Sequence, residues 1–206
     1  MKLWADFHPY VLPDVTGCPI PLLDQALRET ARDFCTRTKA WRQWMDPFTA
    51  SGSRNVYEFD ADAGTEVVAA VAVSVAGEDY AVLGSHALPA SWQSGKQGRI
   101  KDKTLVHINS SEGLFYPTPN DGDSIVFQLA LRPPMTGTGV GDVIFAEFTE
   151  AIASGTKARL MAKPRKEWTD LQTAAMYGMQ YERLVHLAAN TAWHQSAERR
   201  TTKALG

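Results

Sequence analysis

Cysteine is scarce in this 206-residue chain: Cys18 and Cys35 are the whole complement. That excludes a disulfide-rich scaffold. It also leaves too few thiols for a four-cysteine zinc site. No stretch approaches the ~20 apolar residues of a membrane span. The longest apolar run, Val67–Gly77, is short and valine-rich, which marks a strand. The N-terminal residues lack the apolar core and small-residue cleavage site of a secretory leader. Charge of one sign is not in excess either. The formal charge of −2 argues against a general nucleic-acid binder.

Catalytic signatures are equally thin. No G-x-S-x-G occurs. Five histidines, His8, His86, His107, His186 and His194, are scattered. His186 and His194 stand two helical turns apart, about 12 Å, too far to share one metal without further ligands. Asp14, Asp24, Asp60, Asp62, Glu78 and Asp79 are candidate carboxylates, but nothing in the linear order pairs them. The stretch Thr136–Asp142, TGTGVGD, places Gly137 and Gly139 like the start of a dinucleotide fingerprint. Asp142 then stands where the third glycine belongs and would repel a phosphate. A flexible connection is expected there, with Asp142 as the N-cap of the next helix. No cofactor, metal or catalytic residue is expected.

What is present is a core. Hydrophobic residues make up 44% of the chain, with six tryptophans. From Leu22, apolar residues recur as Leu23, Leu27, Ala31, Phe34 and Cys35, with charges between them, which predicts an amphipathic helix. Pro19 and Pro21 suit its first turn. Such a helix holds the two thiols roughly 20 Å apart, beyond disulfide reach. Cys35 then reads as a small core residue and Cys18 as a loop residue. Leu27 and Phe34 are expected to join this helix to the last one.

Period-2 alternation follows. Strands are expected in Ser53–Asp62, in Val67–Val75 returning through an AGED turn to Tyr80–Leu83, in Thr104–Asn109, in Gly113–Pro117 and in Ser124–Pro133. Residues 84–123 are otherwise hard to read. The period then becomes helical over Gly141–Gly155, with Gly155 as a C-cap. A short helix stopped by Pro164 comes next. A long terminal helix should carry Trp168, Leu171, Ala175, Met179 and Leu187 on its apolar face. The fold class expected is α+β: terminal helices packed as a small bundle (1–45 plus 134–206) around an inserted antiparallel β-rich domain (46–133).

Charge is uneven along the chain. Residues 151–206 hold nine Lys/Arg and four Asp/Glu, and the remainder sums to −7. The densest basic run, Lys157–Lys166, could meet an acidic partner, or it could form a solvated turn between helices.

The order of these features resembles the head-to-tail connector (adaptor) proteins of tailed bacteriophages. The likeness lies in LPDVTGCPIPLLDQALRETARDFCTRTKAWRQW, in YEFDADAGTEVVAAVAVSVAGEDY, and in LALRPPMTG…FAEFTEAIASGTKARLMAKP. Thr156 departs from the alanine usual after the glycine of that last step. The resemblance implies a non-enzymatic virion protein of the neck, assembled in the host cytoplasm. It would form a ring, most often twelve-fold, between the portal protein and the tail or nozzle proteins. Genomic DNA would pass through the channel without specific binding, and no membrane is involved. Another neck or tail-completion protein, a small enzyme, and a β-rich binding module are the rival readings. The terminal AERRTTKALG is expected to order only on binding, offering Arg199, Arg200 and Lys203 to an acidic portal surface.

Overall fold

The computed structural model describes residues 1–52, 54–83 and 103–203. In chain order the elements are β1 (Lys2–Leu3), α1 (His8–Val11), α2 (Ile20–Thr38), β2 (Arg42–Trp44), β3 (Phe48–Thr49), β4 (Val56–Glu58), β5 (Glu66–Val75), β6 (Glu78–Leu83), β7 (Thr104–His107), β8 (Glu112–Tyr116), β9 (Ser124–Arg132), β10 (Gly139–Val140), α3 (Asp142–Met161) and α4 (Leu171–Lys203). The class is mixed α+β. Two compact units divide the chain. One is Met1–Trp41 with Gly64–Glu66 and Arg132–Gly206; the other is Arg42–Ala63 with Val67–Leu131.

In the first unit, α2 forms where the apolar spacing predicts. Pro19 stands at its N-cap and Pro21 in its first turn. Lys39, at φ 52°, ends it in the left-handed conformation. Leu23, Leu27, Ala31, Phe34 and Cys35 are all fully buried. Buried Thr30 and Thr38 donate their hydroxyls to the carbonyls of Ala26 and Phe34, each at 2.8 Å. Their polar atoms therefore enter the core satisfied.

The TGTGVGD stretch is ordered, contrary to the flexible connection expected. Gly139 belongs to β10, which pairs antiparallel with β1. A Cβ on Gly139 would lie 1.9 Å from the Lys2 carbonyl oxygen. A close backbone approach thus requires the glycine. The Gly137 carbonyl accepts from Trp4 Nε1 at 2.7 Å and from Arg28 Nε at 3.1 Å. Asp142 is not the N-cap: Gly141 takes that position. Asp142 instead opens the helix and binds the Met1 amine at 3.0 Å.

Gly155 does not end a helix. α3 runs through it to Met161, absorbing the short helix expected after it. The irregularity falls at Phe148 (φ −127°, ψ 17°), where the helix kinks.

The second unit is a curled sheet of eight strands in the order β2-β9-β5-β6-β7-β8-β4, with β3 also on β9. It is mostly antiparallel rather than wholly so, because β6 and β7 run parallel through Ala81↔Thr104 and Leu83↔Val106. β5 and β6 meet in a two-residue turn, Ala76 (φ 51°) and Gly77 (φ 83°), so Glu78 and Asp79 belong to the strand rather than the turn. Two consecutive left-handed residues match the twist of a tight hairpin. Aromatic rings from several of its strands pack together. Phe127 lies 4.9 Å from Phe59 and 5.7 Å from Phe48, and Tyr57 lies 5.8 Å from Phe48. These contacts bring β4 near β3, although the two stand far apart in the strand order.

Candidate assembly surface

Asp60 and Asp62 line one cleft of the second unit, and the other carboxylates singled out above do not join them. Asp14 pairs with Lys157 at 2.6 Å and Asp24 with His8 at 2.7 Å, both in the first unit. Glu78 pairs with Lys103, and Asp62 accepts from Gln43 at 2.5 Å, both in the second. His107 is spent on the Ala70 carbonyl, 3.0 Å from Nε2. His186 is exposed on α4. His86 lies outside the described residues, as does the side chain of His194. Among the described residues no group of three or more His, Cys, Asp and Glu side chains is placed to hold a metal. Among them, too, no helix is long and apolar enough to cross a membrane.

Both thiols are unlinked and buried. Burial pushes Cys35 up to about 12, and also raises Cys18 despite the nearby Lys163 charge. Both shifts favour the thiol over the reactive thiolate. Thiol titration of denatured, non-reduced protein should find two groups per chain, and native protein should react slowly. One intrachain disulfide would contradict the run of α2 from Ile20 to Cys35 that separates them.

The basic run is partly consumed inside the first unit. Lys157 reaches Asp14 and sits 4.8 Å from the Tyr177 ring centroid. Arg159 faces Glu29 at 3.9 Å. Arg165 and Lys166 stay exposed on the turn before α4.

α4 is the element with surface to spare. Its inward face is Ala174, Tyr181, Val185, Ala188 and Ala192. The apolar face expected from sequence is wrong on this point: Leu171 and Met179 are each 68% exposed, and Leu187 is 56% exposed. The reason is close packing. A Cβ on Gly155 of α3 would lie 2.6 Å from Thr30 Cγ2 and 2.8 Å from Tyr181 Cδ2. Small residues and one flat ring fit that spacing, and long side chains do not. Met176, Met179 and Leu187 therefore form an apolar stripe on the outer side of α4, with Arg183 between them.

Polar contacts fix the helix in place. Tyr181 donates its hydroxyl to Asp33 at 2.7 Å. Burial and that carboxylate hold the phenol well above its ordinary range. Arg37 forks onto Glu182, one arm at 2.8 Å, and the bond keeps the Glu182 carboxyl low. Gln180 donates to Glu150 of α3 at 2.7 Å.

A second ionic cluster holds Glu66. Arg32 and Arg132 each reach Glu66 Oε2 at 3.0 Å, and these hydrogen bonds, Arg32 first, lower its carboxyl. A depressed folded value means that the stabilisation is present above about pH 4.5 and fades as pH falls through the folded value. Wild-type protein should therefore lose urea resistance more steeply than Glu66→Gln between about pH 5 and pH 3. Parallel acid profiles would show that the cluster contributes nothing.

The backbone of α4 continues as helix through Lys203, which replaces the tail expected to order only on binding. Arg199 and Arg200 lie on its last turns and Lys203 at its end. Their side chains lie outside the described residues. Compared with known protein families, the chain matches none, and no curated protein matches it.

Proposed function

We propose that this chain is a structural virion protein: a head-to-tail connector (adaptor) of a tailed bacteriophage, forming a ring between portal and tail and continuing the DNA channel. It carries no catalytic role in this reading. The terminal helices act as a small bundle with the β-rich unit inserted between α2 and α3, the arrangement expected from the order of elements in the sequence.

One observation carries the proposal. α4 has 33 residues against 20 in α3, an excess of about 20 Å of helix. A helix longer than the one it packs against offers length for a further contact. In a connector, that extension reaches the portal, with Arg199, Arg200 and Lys203 meeting an acidic surface. Rim charges of this kind act mainly on association rate and salt sensitivity. The Met176, Met179 and Leu187 stripe supplies one flank of a heterologous ring contact. An acidic remainder of the chain suits a channel wall that must release DNA.

The test is co-sedimentation with portal rings across a salt series. Deleting Ala197–Gly206 should preserve the fold and weaken attachment by tenfold or more. Neutralising Arg199 and Arg200 should give a milder loss that is largest at low salt and shrinks as salt screens the wild-type charges. Equal binding of full-length and truncated protein at every salt concentration would remove α4 as the docking element. Absence of rings by electron microscopy, with and without portal, would reject the connector reading itself.

A further inference from the structure

The second unit contains a cleft of about 220 Å³ that the connector reading does not use. It lies beside β2, β3 and β4, where the two ends of the curled sheet approach each other. Its floor is rigid and aromatic: Phe59 and Phe127 are 3% and 1% exposed, with ring centroids 4.9 Å apart. Phe48 stacks on Phe127 at 5.7 Å. The Met45 amide, bound to the Phe127 carbonyl at 2.9 Å, fixes one wall. Trp44 stands at the mouth with 46% of its surface exposed.

The rim is anionic. Asp46, Glu58, Asp60 and Asp62 line the opening and are exposed, and Asp62 accepts from Gln43 at 2.5 Å. No lysine or arginine lines the cleft among the described residues. A metal ion would find one hard half-shell and three rings, a poor coordination set. A cation with a flat, weakly hydrated face fits both halves, because its plane stacks on an aromatic ring and its donors fork onto carboxylates. The volume is below the roughly 300–1,000 Å³ of small-molecule sites, which suits one side chain rather than a cofactor.

We propose that this aromatic cleft is the receptor for an arginine side chain presented by an extended basic segment of a partner protein. The guanidinium stacks against Trp44 and bonds to the Glu58 and Asp60 carboxylates, while its methylene stem lies along the half-buried Phe48 ring. The proposal stands apart from the connector reading, since any partner with this chemistry satisfies it.

The probe is an acetylated, amidated glycine pentapeptide with a central arginine, titrated into the full chain and followed by amide and indole NMR shifts. Saturable shifts are expected at the Trp44 indole N–H and at the Glu58 and Asp60 amides. The matching citrulline peptide, which is neutral and nearly isosteric, should bind at least tenfold more weakly. So should the arginine peptide with the Glu58→Gln/Asp60→Asn variant, whose exposed substitutions leave the aromatic core untouched. A thermal melt matching wild type confirms that this variant is folded. Trp44→Leu should weaken binding severalfold while leaving the carboxylate effect in place. Equal binding of the citrulline peptide, or unchanged binding in the double variant, would overturn the proposal. So would saturation of the same residues by calcium chloride with the arginine peptide silent, since that describes a site for a hydrated ion.

Discussion

Replacing Phe34 by alanine is expected to destabilise the helical unit by about 3–5 kcal/mol. The ring is fully buried on the stripe of α2 that also carries Leu27 and Ala31. Its centroid lies 5.0 Å from that of Phe148, at the kink in α3. Truncation removes the transfer free energy of the ring and leaves a cavity that a closely packed helix pair cannot fill. Because the chain has two units, a single unfolding midpoint is an unsafe readout. Hydrogen exchange of the α2 and α3 amides reports on this unit alone. A change below about 0.5 kcal/mol would place Phe34 outside the core.

The second large effect is at Gly155. In an isolated helix, alanine is better than glycine by about 1 kcal/mol. Here the sign reverses. The added methyl would meet Thr30, which is fully buried, and Tyr181, which is 6% exposed, so neither neighbour has room to move away. Overpacking of this kind costs about 1–3 kcal/mol. Gly155→Ala should therefore lower the stability of the helical unit. Adding Thr30→Ser, which removes the methyl at 2.6 Å, should recover part of the loss. A stabilising Gly155→Ala would mean that α2 and α4 do not approach α3 this closely.

Gly155 also shows where sequence reading stops. A glycine after an apolar run has the look of a helix stop, because the local signal cannot tell a left-handed cap from a close approach. The difference lies in residues 125 positions upstream and 26 downstream, at Thr30 and Tyr181. The same limit misplaced the apolar face of α4. Burying the longest hydrophobic side chains is a sound default, but the Gly155 contact sets a spacing that admits alanine, valine and one tyrosine instead. α2 was legible because its signals are local: prolines at the start, period-3.6 leucines, and a cysteine on the same stripe. β4, β5, β7, β8 and β9 were legible for the same reason, through alternation. The parallel β6–β7 pairing was not, since strand direction depends on the intervening chain and leaves no mark on either strand. The aromatic cleft was also out of reach: Asp60 stood out as a carboxylate, but Trp44, Phe59 and Phe127 come together only through the curl of the sheet.

The wide separation of the helices along the chain has a consequence for synthesis. α2 is finished by Thr38, and α3 does not begin until Asp142. At roughly 5–20 residues per second, a ribosome leaves α2 without its partners for about 5–20 s. All eight strands of the curled sheet are made within that interval. Leu23, Leu27 and Phe34 are thus presented to solvent as an open apolar stripe while the sheet takes shape. A nascent chain stalled with about 150 residues outside the ribosome should recruit chaperones through α2 and release them once α4 emerges. Changing Leu27 and Phe34 to polar residues should abolish that recruitment without slowing formation of the sheet.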